Sequence, residues 1–202
     1  MANIPILNGA QPYPFAKSEL NASFATRAAE TLRGMGHQVR TTTVAEGYDV
    51  EADVEAHLWA DTVILQFPVN WMGVPWVLKK YMDEVYTAGT DGRLCNGDGR
   101  SEAAPKANYG MGGTLTGTHI MLSVTLNAPA EAFDDPAEPF FEGMSVDDLL
   151  RMVHLNARCF GMTPLPTYSA HDVMKAPQIE ADFARFDAHI VSVFGEASDA
   201  AA

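Results

Sequence analysis

Short β-rich runs alternate along this chain with stretches in which apolar residues return every three or four positions. Residues 4–8 form the first run. The first helical stretch covers 18–33, where Leu20, Phe24, Ala28 and Leu32 make one apolar stripe. Ser18 stands where an N-cap belongs, and Gly34 or Gly36 where the helix would stop. Residues 37–44 give a second, rather polar run, as suits an edge strand. A helix is predicted over 50–59, with Glu51, Asp53 and Glu55 on a solvated face. Residues 62–67, TVILQF, are mostly β-branched or large and apolar and end at Pro68, the pattern of a strand covered on both sides. Pro75 then opens a helix whose Val77/Leu78, Tyr81/Met82 and Val85/Tyr86 pairs repeat every four residues. Further on, 119–126 and 165–169 read as strands and 146–160 and 177–194 as helices, with Asp182 and Asp187 on a solvated face of the last.

Five strands alternating with helices predict an α/β fold: a five-stranded parallel sheet with right-handed crossovers and helices on both faces. In such sheets ligands bind beyond the carboxyl ends of the strands, at a switch in strand order, which directs attention to the segments after Asn8, Phe67 and Leu126. Pro5 dissents, because it removes a donor from what should be a central strand. Residues 87–117 hold eight glycines and two Asp-Gly steps with little periodicity, and read as a long functional loop.

The composition narrows the class. At 202 residues, 47% apolar and 19% charged, the chain is sized for one globular domain spanning 1–202. Thirteen Lys and Arg against 26 Asp and Glu leave a net charge of -13, which repels polyanions and argues against a nucleic-acid partner. Cys95 and Cys159 have no metal-like or disulfide-framework spacing, and the amino-terminal segment has neither a basic region nor a long apolar stretch. A cytoplasmic protein with free thiols and no membrane-spanning segment is expected.

Three segments carry candidate chemistry. After the first strand, NGAQPYPFAKSEL runs into a helix start where backbone N–H groups, the Ser18 hydroxyl, the Asn21 amide and Lys17 could seat a phosphate; plain helix capping by Ser18 is the commoner use of such a residue. After the third strand, QFPVNWMGVPW presents Pro68, Val69, Asn70, Trp71 and Met72 before Gly73, aromatic surface beside backbone amides, as a flat heteroaromatic ring requires. Burial of Trp71 and Trp76 in the core is the equal alternative. After the fourth strand come Thr125, Leu126, Asn127 and Ala128, at the same edge of the sheet. The glycines of YGMGGTLTG, residues 109–117, imitate a dinucleotide fingerprint but precede a strand instead of following one. The six histidines are scattered, each read as a surface or satisfied core residue.

At these segments the chain resembles the flavin-dependent NADPH:quinone reductases called modulator of drug activity B, relatives of mammalian quinone reductase. The likeness spans nearly the whole sequence. It is carried by NGA at 8–10, LWAD at 58–61, QFPVNWMGVPWVLKKYMDEV at 66–85, DGR at 98–100, NAPAEAF at 127–133 and FGMTPLPT at 160–167. The resemblance implies a flavodoxin-like fold with FAD bound noncovalently at a homodimer interface. Its ring would lie between the loop at Pro68 to Met72 and the loop at Thr125 to Ala128. The pyrophosphate would rest on 16–23, including Lys17, Ser18, Leu20, Asn21 and Ser23, and Tyr109 would line the flavin or acceptor site. Phe15 stands where the family has a histidine, and Val69 and Asn70 where members often have glycine and tryptophan.

The activity implied is two-electron, ping-pong hydride transfer from NAD(P)H through FAD to a quinone-type acceptor. Rival readings are an FMN-binding flavodoxin electron carrier, a flavin-free interaction module, and an azo- or nitro-compound reductase. The segment NGAQPYPFAKSEL lacks the hydroxyl- and glycine-rich phosphate loop of the carriers.

Overall fold

A computed structural model of the chain describes residues 1–195; the last seven positions of the expected domain lie outside the described residues. Strand β1 (Asn3–Asn8) leads to helix α1 (Glu19–Gly34), followed by β2 (Gln38–Thr43), α2 (Val50–Trp59), β3 (Thr62–Pro68), α3 (Trp76–Tyr81) and β4 (His119–Thr125). Two short helices, α4 (Val146–Leu149) and α5 (Arg151–Cys159), precede two short strands, β5 (Thr163–Pro164) and β6 (Tyr168–Ala170), and α6 (Ile179–Gly195) closes the described chain.

All pairings are parallel, in the order β2-β1-β3-β4-β5, with β6 also on β4. The order reverses between β1 and β3, the switch at which such sheets bind ligands. β3 is buried from Thr62 through Phe67, as its composition predicted. β2 alternates poorly and stays largely open, an edge strand as its polarity required. Pro5 is accommodated because pairing to β3 is registered only at Ile6, Leu7 and Asn8, beyond the missing donor.

Each face of the sheet carries its own core. Ile4, Ile6, Ile64 and Met121 pack against α1 and α6, where Phe24 meets Phe183 and Phe186 edge-on. Leu7, Leu65, Phe67, Leu122 and Val124 pack against the other face, covered by α2, α3 and α5 through Val54, Leu78, Tyr81 and Val153. No helix among the described residues is long and apolar enough to cross a membrane.

Several expectations need correction. The helix read over 146–160 breaks at Leu150, where ψ of 13° ends one helix and begins the next; Ser145 caps only the first, through a capping box with Asp148. The single strand over 165–169 is two segments, because the stretch from Pro164 to Pro166 interrupts the ladder on β4. The helix opened by Pro75 passes into a π-helical turn, Met82–Tyr86. Asp53 and Asp182 are buried, not solvated: Asp182 pairs with Arg185 and Asp53 lies near the Thr42 hydroxyl. His57 is neither a surface nor a satisfied residue, since it is buried with Nε2 unpartnered.

Gly112 and Gly113 have a packing cause. A Cβ on Gly113 would stand 2.0 Å from the Phe160 carbonyl carbon, and one on Gly112 would stand 2.2 Å from the Gly97 carbonyl oxygen. These glycines let the long loop lie against its own backbone and the end of α5.

Candidate functional site

The carboxyl ends of β1, β3 and β4 lie side by side in the sheet, so the loops that leave them share one edge. The parallel register sets Pro68 opposite Thr125, which aligns the exit of β3 with the exit of β4. The Val69 amide donates to the Thr125 carbonyl at 2.9 Å and extends that alignment into the loops.

Beyond β3 the chain makes a tight turn. Asn70 and Gly73 exchange backbone hydrogen bonds at 2.9 and 3.1 Å, and the two residues between them, Trp71 and Met72, both have positive φ, 50° and 63°. Such a two-residue turn normally takes Asn-Gly, because an L side chain there costs about 1–2 kcal/mol per residue. Trp71 is nevertheless 96% exposed. A large apolar side chain held in a strained turn and buried against nothing in its own chain is a surface built for something else to cover. Trp76 is exposed as well, so neither tryptophan is a core residue.

After β1 the loop folds back on itself, Tyr13 and Ala16 exchanging backbone bonds at 2.8 and 3.1 Å, with Phe15 stacked on Tyr13 at 5.7 Å between centroids. Ser18 occupies the N-cap position in a left-handed conformation (φ 64°) and caps nothing; its hydroxyl donates to the Gln11 carbonyl at 2.5 Å. The first-turn amides of α1 are therefore open to an anion. Lys17 is exposed beside them and Leu20 half-buried. Ser23 spends its hydroxyl on the Glu19 carbonyl one turn back.

The side chain of Asn21, at the start of α1, is tied into the interior. It is buried, its Nδ2 donating to Thr125 Oγ1 at 3.2 Å and its Oδ1 accepting from Gln66 Nε2 at 2.9 Å, while Gln66 Oε1 accepts from Ser123 Oγ at 2.6 Å. This polar chain ties the start of α1 to the ends of β3 and β4 beneath all three loops. The sequence reading missed Gln66 and Ser123. The available signal was a lone amide in an otherwise apolar buried strand.

After β4 the Leu126 amide is taken by the Ala170 carbonyl at 2.8 Å, and the Ala128 carbonyl accepts from the Asp172 amide at 3.1 Å. Among the described residues the amides of Asn127 and Ala128 have no such partner, and Asn127 is exposed. His171, also missed, bridges Ser169 Oγ at 2.9 Å and the Ala128 carbonyl at 3.3 Å; a carbonyl only accepts, so Nδ1 carries the proton. Burial pushes its pKa down, which keeps it neutral. Tyr109, in the long loop, is 76% exposed with the Arg100 guanidinium 5.5 Å from its ring centre.

Open helix amides, exposed aromatics and free loop amides at the switch point of a 2-1-3-4-5 parallel sheet define a flavodoxin-like protein. The comparisons agree: the family described by the flavodoxin-like fold matches residues 2–192. The NADPH:quinone oxidoreductase MdaB of Haemophilus influenzae is 45% identical over 193 residues, 96% of this chain and all of that protein. An uncharacterised protein of Schizosaccharomyces pombe is 44% identical over 195 residues, 96% of this chain and 98% of that one. The chain belongs to the modulator of drug activity B family. Among solved structures, a Klebsiella pneumoniae protein assigned as a quinone reductase superposes with a TM-score of 0.76 at 23% identity, over 96% of this chain and 85% of that one. General stress protein 14 of Treponema denticola, solved in complex with FMN, gives 0.60 at 23% identity, over 94% and 98%. Both of these share the fold.

Proposed function

We propose that this chain is an FAD-dependent NAD(P)H:quinone oxidoreductase that works by a two-electron ping-pong cycle. The reading rests on the turn at Trp71 and Met72, strained and uncovered at the switch point, together with the activity named for the Haemophilus influenzae relative. The flavin, when bound, supplies a two-electron centre that takes hydride from a nicotinamide and passes it to a quinone.

The residues present fit that group. The open first turn of α1, with Lys17 beside it, seats the pyrophosphate. Trp71 and Met72 would hold the ring together with Asn127 and Ala128, whose free amides could stabilise negative charge developing on it. Asn21, Gln66 and Thr125 hold the three loops in register from below. Tyr109 covers the acceptor side, and a second copy of the chain buries Trp71 and Trp76 in a homodimer. The two free cysteines suit a reducing cytoplasm.

The test is the visible spectrum of the purified protein with its flavin released and identified, followed by anaerobic addition of NADPH and then a soluble quinone. FAD that bleaches and recovers, with parallel lines in two-substrate kinetics, supports the proposal. FMN that ignores reduced nicotinamides would establish the carrier reading instead, and intersecting lines would refute the ping-pong order.

A further inference from the structure

Most arginines of this acidic chain are spoken for. Arg27, Arg93, Arg100 and Arg185 are paired with aspartates, and Arg40 lies over Trp59. Arg151 and Arg158 have no ion pair or hydrogen bond among the described residues, and both line one cavity of about 640 Å³ between α5 and β5. They sit seven residues apart on α5, on one face of the helix, with about 10 Å of helical rise between them.

His154 lies between them on the same face. Its Nε2 meets Asp147 Oδ1 at 3.0 Å, and Thr167 donates to the same oxygen at 2.6 Å. These two donors hold the Asp147 carboxyl below the usual range. Asp148, which also borders the cavity, is occupied by the backbone and hydroxyl of Ser145. Both acids of the wall are thus satisfied within the protein. The two guanidinium groups are not, and neither is the buried Nδ1 of His154.

Thr116 and Thr163 add hydroxyl groups to the wall, and the rest of it is apolar or glycine. Met111 and Leu155, both more than half exposed, border it together with Met162 and Pro164. A volume of this size suits an organic molecule far better than a bare inorganic ion. Met111, exposed, can adapt to an apolar body of varied shape, while Met162 forms the buried floor. The place is remote from the loops that leave β1, β3 and β4, although Met111 and Gly113 belong to the long loop that carries Tyr109: β5 pairs with His119 and Ile120 at the start of β4, about 20 Å along the strand from Thr125.

We propose that this cavity is a second ligand site that takes an amphiphilic organic anion, a carboxylate or sulfonate carried on an apolar body. Arg151 and Arg158 hold the anionic group by charge-assisted hydrogen bonds, and Met111 and Leu155 cover the body.

The test uses the protein as purified, with any flavin it holds, and the fluorescent probe 8-anilinonaphthalene-1-sulfonate. Saturable binding at one site is expected, displaced by 1-naphthoate and unaffected by inorganic phosphate at the same concentration. The double variant Arg151→Gln/Arg158→Gln should weaken binding at least tenfold, with the flavin spectrum and the melting temperature unchanged. Should that variant fold poorly, Arg158→Gln alone, at an exposed position, should still weaken it severalfold. Displacement by added FAD would place the probe at the carboxyl edge and overturn the proposal. Equal displacement by phosphate, or binding indifferent to both arginine variants, would overturn it as well.

Discussion

Replacing Trp71 and Met72 together by Asn and Gly separates the cost of the turn from its purpose. With φ of 50° and 63°, the two residues bear a left-handed penalty of about 1–2 kcal/mol each. Asn tolerates that conformation better than Trp, and Gly bears no penalty but gives back about 0.5–1 kcal/mol through its freedom in the unfolded chain. Trp71 is 96% exposed, so its removal forfeits almost no packing. The flavin-free Trp71→Asn/Met72→Gly variant should therefore be more stable than its parent by about 1 kcal/mol, a rise in melting temperature of roughly 2–4 °C for a chain of this size. Flavin affinity should move the other way, by at least tenfold, because the apolar cover of the ring is gone. Urea titrations of the two apoproteins measure the first effect and flavin-fluorescence quenching the second. A destabilised apoprotein would show that the turn is not strained, and unchanged flavin affinity would show that its strain does not serve the flavin.

Further outcomes follow from the same geometry. Gln66→Leu strands Ser123 Oγ in the interior and leaves Asn21 Oδ1 only the long contact with the Thr125 hydroxyl, at about 1–3 kcal/mol for a buried group left unpaired, and should lower both the urea midpoint and flavin retention; a loss confined to stability would assign the network to the fold alone. His57, fully buried, has its pKa pushed down by desolvation, so the unfolded chain binds its proton more tightly and stability falls as pH drops from about 6.5 toward the folded value. His57→Leu should flatten the melting temperature below about pH 6.5 relative to the parent, and parallel curves would remove His57 from the acid sensitivity. Gly113→Ala puts a methyl group 2.0 Å from backbone at Phe160, which cannot swing aside, and should cost about 3 kcal/mol, seen as lost soluble yield or a collapsed urea midpoint. Asp187→Asn removes a half-exposed pair with Arg27 between α1 and α6 and should cost no more than about 1 kcal/mol by the same titration.

The sequence by itself determined the alternation of strands and helices, the two-sided burial of β3, the polar edge at β2 and the three loops that leave the sheet at one edge. These are consequences of local composition: period and β-branching fix what each segment can bury, whatever lies next to it. It also carried the family, through a twenty-residue phrase that periodicity alone would not single out. Only the tertiary structure decided what each polar side chain does. Asn21 reads as a phosphate contact beside a helix start, and that its side chain ties the interior together shows only once Gln66 and Thr125, far away in sequence, converge on it. Ser18 reads as a cap, yet its hydroxyl is drawn to Gln11, which leaves the helix amides free. Asp53 and Asp182 read as solvated and are buried, since a helix's own pattern does not reveal which flank a neighbouring element will cover. A hydrogen bond is satisfied by whatever partner the fold brings within 3 Å, and that proximity is a property of the packed chain that no local window contains.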